Sequence, residues 1–191
     1  MFRMITFTFA FASVLALPVL AQQSDTQDKP FDLRSSVGDV HVGNDADAKK
    51  AGLPLYPGAR QKTGSQDGDN NQANLSMLTE AFGFKLVVSK YASDDAPAKV
   101  VDFYRDKLKK YGKVLECHSQ KHGGDVDVNS DNNSKDKDKE LKCEQGSGPV
   151  TELKVGTEDN QHVVAVEPGD AGKGSTFALV YVRTRGKSGD I

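Results

Sequence analysis

One amphipathic helix constrains this chain more than any other feature. The segment SDDAPAKVVDFYRDKLKKYG, residues 93–112, places apolar side chains on one helical face and charged side chains on the other. Asp94 or Asp95 is predicted to cap its start, Pro97 suits the first turn, and Gly112 suits the C-terminus. The apolar face consists of Val100, Val101, Phe103, Tyr104, Leu108 and Tyr111. A helix with a single apolar stripe must bury that stripe against another layer.

The segments around the helix supply that layer as β-structure. Alternating side chains, or apolar groups on both faces, predict strands at 80–92, 113–119, 140–145, 150–156, 162–168 and 175–185. Residues 75–79 either begin the first of these strands or form its partner. Residues 140–145 are expected to pair with 113–119, and residues 157–160 have the composition of a hairpin turn. We therefore predict an α+β fold, with one main helix packed on an antiparallel sheet of four to six strands.

The N-terminus has the features of a secretory signal peptide. An apolar run from Met4 to Leu20 follows Arg3, and Val19 and Ala21 suit the −3 and −1 positions of a signal peptidase site. Residues 1–21 are therefore predicted to be removed on export. The alternative is a membrane anchor, but the run contains a proline near its end and lacks a basic stop-transfer flank.

The rest of the chain is predicted to form one domain with tails. Residues 22–50 read as a flexible lead-in that includes at most a short strand at 37–43. Residues 51–186 are assigned to a single α+β domain, in which 118–139 form a long polar insertion within a hairpin. Residues 187–191 form a polar tail.

The charge balance excludes some classes of partner. The full chain has a formal net charge of −2, and loss of Arg3 with the signal peptide makes it −3. Such a balance lacks the basic footprint of proteins that bind nucleic acid or anionic membranes. No second apolar run approaches the roughly 20 residues of a membrane span, so none is predicted in the mature chain. We expect a periplasmic or secreted protein that binds a protein or an envelope ligand; its oligomeric state does not follow from the sequence.

The two cysteines, Cys117 and Cys143, flank a long polar stretch. In an exported chain, one cysteine on each of two neighbouring predicted strands indicates a disulfide. Closing a loop of about 27 residues would stabilise the fold by roughly 3–4 kcal/mol. The alternative is a zinc site formed by Cys117, His118, His122 and Cys143. It is disfavoured because consecutive residues of a strand, here Cys117 and His118, point to opposite faces.

The polar stretch itself contains a candidate calcium loop. Oxygen donors occur at EF-hand spacing in Asp125, Asp127, Asn129, Asp131 and Asp136. The pattern departs from an EF-hand because Ser130 replaces the turn glycine, Asp136 replaces a bidentate Glu, and no flanking helices are predicted. The favoured interpretation is a solvated polar loop. No cofactor is therefore predicted, with calcium as the alternative.

No catalytic motif is recognisable in the sequence. It lacks a nucleophile elbow, a dinucleotide fingerprint and a zinc-protease signature. The segment GDAGKGST (169–176) has the composition of a phosphate loop, but its glycine spacing is wrong and it precedes a strand, so a hairpin turn is predicted. His41 and His162 stand alone near strands. The leading prediction is a non-enzymatic binding module, and an enzyme whose residues meet only in the fold is an alternative.

Two motifs carry a resemblance to other proteins. LPLYPGA (53–59) is followed some forty residues later by VVDFYRDKLKKYG (100–112). This resembles a pattern in uncharacterised secreted proteins of soil bacteria, including acidobacteria, in which a PxYPGA segment precedes a strand and a VVxFYRDKL helix. The resemblance covers residues 37–112. It implies an exported α+β domain and brings no catalytic residues, cofactor or substrate with it.

Overall fold

The protein was analysed as a computed structural model, which describes residues 31–43, 46–62, 72–120, 140–143 and 146–186. These residues form one antiparallel sheet and one α-helix. The strands are β1 (Phe31–Ser35), β2 (Gly38–Gly43), β3 (Arg60–Gln61), β4 (Gln72–Thr79), β5 (Gly83–Ser93), β6 (Leu115–Ser119), β7 (Val150–Thr157), β8 (Asn160–Pro168) and β9 (Ser175–Arg185), and the helix α1 is Pro97–Leu108. The predicted α+β class is confirmed, but the described sheet has nine strands rather than four to six.

The strand order is β1-β2-β4-β5-β9-β8-β7-β6, with every neighbouring pair antiparallel. The short β3 pairs with the end of β5, beyond the last residue that β4 covers. The predicted hairpin at 157–160 joins β7 to β8 through Glu158 and Asp159. The segment 169–176 connects β8 to β9, as predicted.

One face of the sheet packs against α1, and we call it the helix face. Side chains alternate between the two faces of a strand, so every second residue of β5, β7, β8 and β9 points towards the helix. These residues form the main core with the buried side of α1. Its members include Tyr91, Leu153, Val155, Val164, Val166, Phe177 and Leu179 from the sheet, and Val100, Val101, Tyr104 and Leu108 from the helix.

The opposite face, which we call the second face, is apolar from one edge strand to the centre of the sheet. Towards β7–β9 its side chains are buried in a second cluster of Val150, Val163, Ala165, Ala178, Val180 and Val182. Towards β1, β2 and β4 they become exposed: Phe31 is 57% exposed, Leu33 50%, Val42 45% and Met77 38%. The second face therefore carries an exposed apolar area at one side of the molecule.

A buried ion pair lies on the second face of β7. Lys154 Nζ is 3.1 Å from Glu152 Oε2, and both side chains are almost completely buried. Ser119 of the neighbouring strand donates a hydrogen bond to the same carboxylate. Mutual pairing offsets the desolvation that an isolated charge would suffer at this position.

The helix begins differently from the sequence prediction, whereas the helical segment ends at Gly112 as predicted. The N-cap residue is Ala96, which makes no side-chain capping bond, because Asp94 and Asp95 bind other partners. Pro97 occupies the first turn, as predicted. The α-helix ends at Leu108 and continues as one 3₁₀ turn to Tyr111, and Gly112 then breaks it at φ 139°. Among the described residues, no helix is both long enough and apolar enough to cross a membrane.

The sheet also departs from the prediction at both sides. The strand β1 lies in the lead-in 22–50 but outside the short strand expected at 37–43, and β4 begins at Gln72, before the predicted segment 75–79. The predicted pairing of 113–119 with 140–145 is wrong, because β6 pairs with β7 instead. In the described part of 140–145, only Glu140 forms a bridge, and its partner is Thr157. The polar insertion therefore does not connect two paired strands.

Candidate functional site

The segment 46–59, which we call the strap, crosses the helix face as non-regular structure. It opens with a tight turn in which the Ala51 N–H donates to the Asp47 carbonyl (3.1 Å) and the Leu53 N–H to the Ala48 carbonyl (2.9 Å). The Asp47 carboxylate accepts a further bond from the Lys50 N–H at 2.7 Å. The two prolines at 54 and 57 then restrict φ and keep the following backbone out of the sheet.

Two buried tyrosines anchor the strap to the core. The Tyr104 hydroxyl donates to the Pro54 carbonyl (3.2 Å) and accepts from the Tyr56 N–H (3.1 Å). The Tyr91 hydroxyl accepts from the Ala48 N–H at 2.8 Å. Burial raises the pKa of Tyr104, so its hydroxyl keeps the proton that it donates. The strap is thereby attached at both ends to side chains of β5 and α1.

A polar clasp closes the end of the strap against the start of the helix. The Tyr56 hydroxyl donates to Asp95 at 2.9 Å, and burial together with this carboxylate raises the pKa of Tyr56. Arg60 makes two bonds to Asp94, at 2.7 and 3.0 Å, and this pairing lowers the pKa of the Asp94 carboxyl. Lys99 completes the clasp with a bond of 2.8 Å to Asp95.

A cleft of about 600 Å³, which we call the strap cleft, opens between the strap, β3 and β5. It is lined by Asp47, Ala48, Lys49, Gly52, Leu53, Pro54, Leu55, Gln61 and Tyr91. Leu53, Pro54 and Leu55 provide apolar surface, and Leu55 is 47% exposed there. Asp47, Lys49 and Gln61 provide polar groups. A concave apolar surface with a few polar groups is the usual form of a small-molecule site.

An aromatic stack supports the strap next to the cleft. The His162 ring lies between Tyr111 and Tyr181, with centroid distances of 3.9 and 4.7 Å and interplanar angles of 26°. Gly52, which lines the cleft, joins the two features: its carbonyl accepts a bond from the Tyr111 hydroxyl. A Cβ at Gly52 would lie 3.0 Å from that hydroxyl and 3.2 Å from His162 Cε1, and φ at this residue is +75°. Glycine is therefore required at this contact.

The electrostatics of the stack keep His162 neutral. Its side chain is buried, Nδ1 lies 3.0 Å from the Ala51 carbonyl, and so Nδ1 carries the proton and donates it. Burial lowers the pKa of His162, and the nearby positive charge of Lys110 lowers it further. Lys110 itself lies over the Tyr111 ring, 4.7 Å from its centroid. At neutral pH, His162 therefore supports the strap as an uncharged ring.

A second polar cluster lies on the helix face near the exposed edge of the sheet. His41 Nδ1 is 2.7 Å from Asp32 Oδ1, and His41 Nε2 is 3.2 Å from Asn74 Nδ2. Ser76 faces His41 across the β2–β4 ladder, but its hydroxyl makes no hydrogen bond to the ring. Two of the contacts of the His41 ring are therefore with a carboxylate and with a side-chain amide.

The predicted disulfide between Cys117 and Cys143 is confirmed, with Cα atoms 5.4 Å apart. It links the edge strand β6 to a non-regular segment rather than to a second strand, and Cys143 Sγ lies 3.5 Å from the Glu116 carbonyl. Because both sulfurs are in this bond, neither is available as a thiolate ligand for the alternative zinc site. His118 is exposed, and its ring lies 3.5 Å from the Thr151 hydroxyl.

The candidate calcium ligands lie outside the described residues. This applies to Asp125, Asp127, Asn129, Asp131 and Asp136 alike, so the calcium loop stays a prediction. Within the described ranges, no three His, Cys, Asp or Glu side chains come together in a way that could hold a metal ion.

Comparison with known proteins adds no relative. The chain matches no protein-family model, and no curated protein and no solved structure is significantly similar to it.

The sequence singles out LPLYPGA as a motif, and the structure places this motif in the strap. The cleft walls, however, come from the strap, from Gln61 and from Tyr91. No local pattern links these positions. The lone His162 likewise gave no signal of the two tyrosines that enclose it, because Tyr111 and Tyr181 are distant from it in sequence.

Proposed function

We propose that this protein is an exported, non-enzymatic binding module of the bacterial envelope and that the strap cleft is its ligand site. The observation that carries the proposal is the cleft itself, with about 600 Å³ of space beside a segment that is anchored on both sides. Export is supported by the apolar N-terminal run and by the disulfide, which is characteristic of oxidising compartments.

The lining of the cleft favours a small, uncharged, amphipathic ligand. Leu53, Pro54 and Leu55 would contact an apolar portion. The Tyr91 hydroxyl accepts from the Ala48 N–H and still has its own proton to donate. The carboxylate of Asp47 and the ammonium of Lys49 carry opposite charges, so the rim has no net attraction for an anion or a cation.

The anchored strap makes this cleft preorganised. Its backbone N–H groups donate hydrogen bonds to the hydroxyls of Tyr91 and Tyr104, and the steric restriction at Gly52 fixes it against the aromatic stack. A ligand would therefore not have to order the strap on binding, which saves the entropic cost of ordering a loop.

Hexyl glucoside, a neutral amphiphile used below its micellar concentration, is a suitable probe for this site. In saturation-transfer NMR we expect its hexyl protons to receive magnetisation from the protein. Leu55→Lys places a charge in the cleft and should abolish the transfer. Leu78→Lys is the matched control, because Leu78 is 49% exposed against 47% for Leu55 and does not line the cleft. Equal transfer in both variants, or none in the original protein, would contradict the proposal.

The calcium-stabilised alternative depends on residues 125–136. Calorimetric titration with calcium tests it directly. Heat of binding together with a raised melting temperature would support it, and the absence of both at millimolar calcium would end it.

A further inference from the structure

The two edge strands of the described sheet differ in what lies beside them. At the β6 edge, the disulfide holds Cys143 against the strand, and Glu140 bridges the neighbouring β7. At the other edge, β1 has no described strand or segment beside it, and all five of its residues are exposed. An uncovered edge strand presents backbone groups that can pair with another chain.

Backbone hydrogen bonds along each strand alternate between its two neighbours, and this alternation shows which backbone groups of β1 point away from the sheet. At the β4–β5 turn the Thr79 N–H donates to the Phe82 carbonyl at 2.7 Å, so odd-numbered residues of β4 bond to β5 and even-numbered ones to β2. In the register of β4 with β2, the odd-numbered residues of β2 therefore bond to β4 and the even-numbered ones to β1. In the register of β2 with β1, the odd-numbered residues of β1 bond to β2. The N–H and C=O groups of Asp32 and Arg34 therefore point away from the sheet.

The sequence of β1 is complementary to itself. When FDLRS is paired antiparallel with a second copy around Leu33, Asp32 of each copy faces Arg34 of the other. These are the same residues whose backbone groups point outward, so each Asp–Arg pair would also be a hydrogen-bonded backbone pair, with four backbone bonds in total. Leu33 would face its own equivalent on the second face.

The charges needed for this pairing are accessible. Asp32 contacts His41 through Oδ1, and its side chain is 60% exposed. Arg34 is exposed and makes no ion pair within the described part of the chain. Phe31 and Leu33, which are 57% and 50% exposed, lie on the apolar side of the same strand. Among the described residues, one edge strand thus offers outward backbone groups without a neighbouring strand, accessible charges and exposed apolar surface together.

We propose that the protein forms a two-fold symmetric dimer in which the β1 strands of two copies pair antiparallel around Leu33. The two sheets then form one continuous sheet, with both helices on the same side and the exposed apolar areas of the two second faces adjoining. Such an isologous contact joins two copies and no more, because each β1 edge is then paired with the β1 edge of the other copy. The proposed interface uses β1, which does not line the strap cleft, so it does not depend on the proposed function.

Charge reversal tests this dimer by sedimentation velocity over a concentration series of the exported, processed protein. We expect a mass twice that of the chain for the original protein. Asp32→Arg places Arg opposite Arg34, and Arg34→Asp places Asp opposite Asp32, so each variant alone should sediment as a monomer. An equimolar mixture of the two should regain the double mass, and so should the D32R/R34D double variant. Lys173→Asp, an exposed reversal in the β8–β9 connection, is the control and should stay dimeric.

Several results would overturn the proposal. These are a monomeric original protein, dimers that survive both single reversals, or a mixture of the two variants that stays monomeric although circular dichroism shows both to be folded. Asp32→Arg also removes the contact to His41 and could impair folding. In that case, Arg34→Asp carries the test against Lys173→Asp, because Arg34 has no such contact: a folded Arg34→Asp protein that stays dimeric would overturn the proposal.

Discussion

At the scale of single residues, the phenol of Tyr104 is the contact that joins the helix to the strap. Its ring is fully buried and contacts Phe103 and Phe177, with centroid distances of 5.0 and 5.6 Å. Its hydroxyl satisfies both a carbonyl and an N–H of the PLYPG sequence. This contact gives a physical reason for the two motifs, LPLYPGA and VVDFYRDKL, to occur in one chain.

Replacing Tyr104 by Phe should destabilise the protein by about 1–3 kcal/mol, because the Pro54 carbonyl and the Tyr56 N–H would lose their partner in the core. Urea denaturation measures this free energy. Tyr111→Phe is the control: its hydroxyl bonds to the Gly52 carbonyl, but Tyr111 is 36% exposed, so water can replace the bond. A Tyr104 variant that costs no more than the Tyr111 variant would contradict this role.

His162 makes the stability of the fold depend on pH. Because its pKa in the folded state is lowered by burial, the unfolded chain takes up a proton at this residue first as the pH falls. The stabilisation is therefore complete above pH 6.5, the ordinary value for histidine, and is lost as the pH falls from there towards the lower folded pKa.

The free energy of unfolding measured between pH 7.5 and pH 5 tests this dependence. We expect the decrease to become smaller in His162→Phe, which keeps the aromatic stack and removes the titrating group. His118→Gln, which removes an exposed histidine, should leave the decrease as it is. If both variants show the same pH dependence as the original protein, His162 is not its source.

At the scale of elements, predictability followed the strength of the local pattern. The helix, β5, β7, β8 and β9 could be predicted because each buries enough apolar side chains to give a clear period. The strand β1 could not, because its five residues are all exposed and it follows a long polar stretch. The prediction that Asp94 or Asp95 caps the helix was wrong for another reason. These two carboxylates bind Arg60 and Tyr56, which are distant from them in sequence.

The position of the disulfide was predictable, but its structural setting was not. Two cysteines in an exported chain indicate a single pairing, whereas the partner of β6 depends on long-range packing that selected β7. The candidate cleft was not predictable either, since its walls meet only after β3, β5 and the strap have assembled.

Removing the disulfide should lower stability through the unfolded state. The bond joins residues 26 apart, and loop-closure entropy gives about 3–4 kcal/mol for a loop of this length. Cys117→Ser/Cys143→Ser should therefore unfold at a lower urea concentration than the original protein. In the presence of reductant the two proteins should become equal. A double variant as stable as the oxidised protein would show that the link contributes nothing.

At the scale of the whole molecule, the fold separates three surfaces. The helix face carries the strap and its cleft, the second face carries exposed apolar area near β1, and β1 forms an edge that no described strand or segment covers. Ligand binding and self-association can therefore be tested independently, because Leu55 lines the strap cleft and Arg34, on β1, does not.

Titration of isotopically labelled protein with hexyl glucoside, followed by the backbone amide shifts in NMR spectra, tests directly whether the strap cleft binds a small amphipathic ligand. We expect saturable shifts confined to residues that line the cleft, namely Asp47–Lys49, Gly52, Leu53, Leu55, Gln61 and Tyr91. Shifts centred instead on Phe31, Leu33, Val42 and Met77 would mean that the probe binds the exposed apolar area of the second face. That result, or the absence of any saturable shift, would contradict ligand binding in the strap cleft.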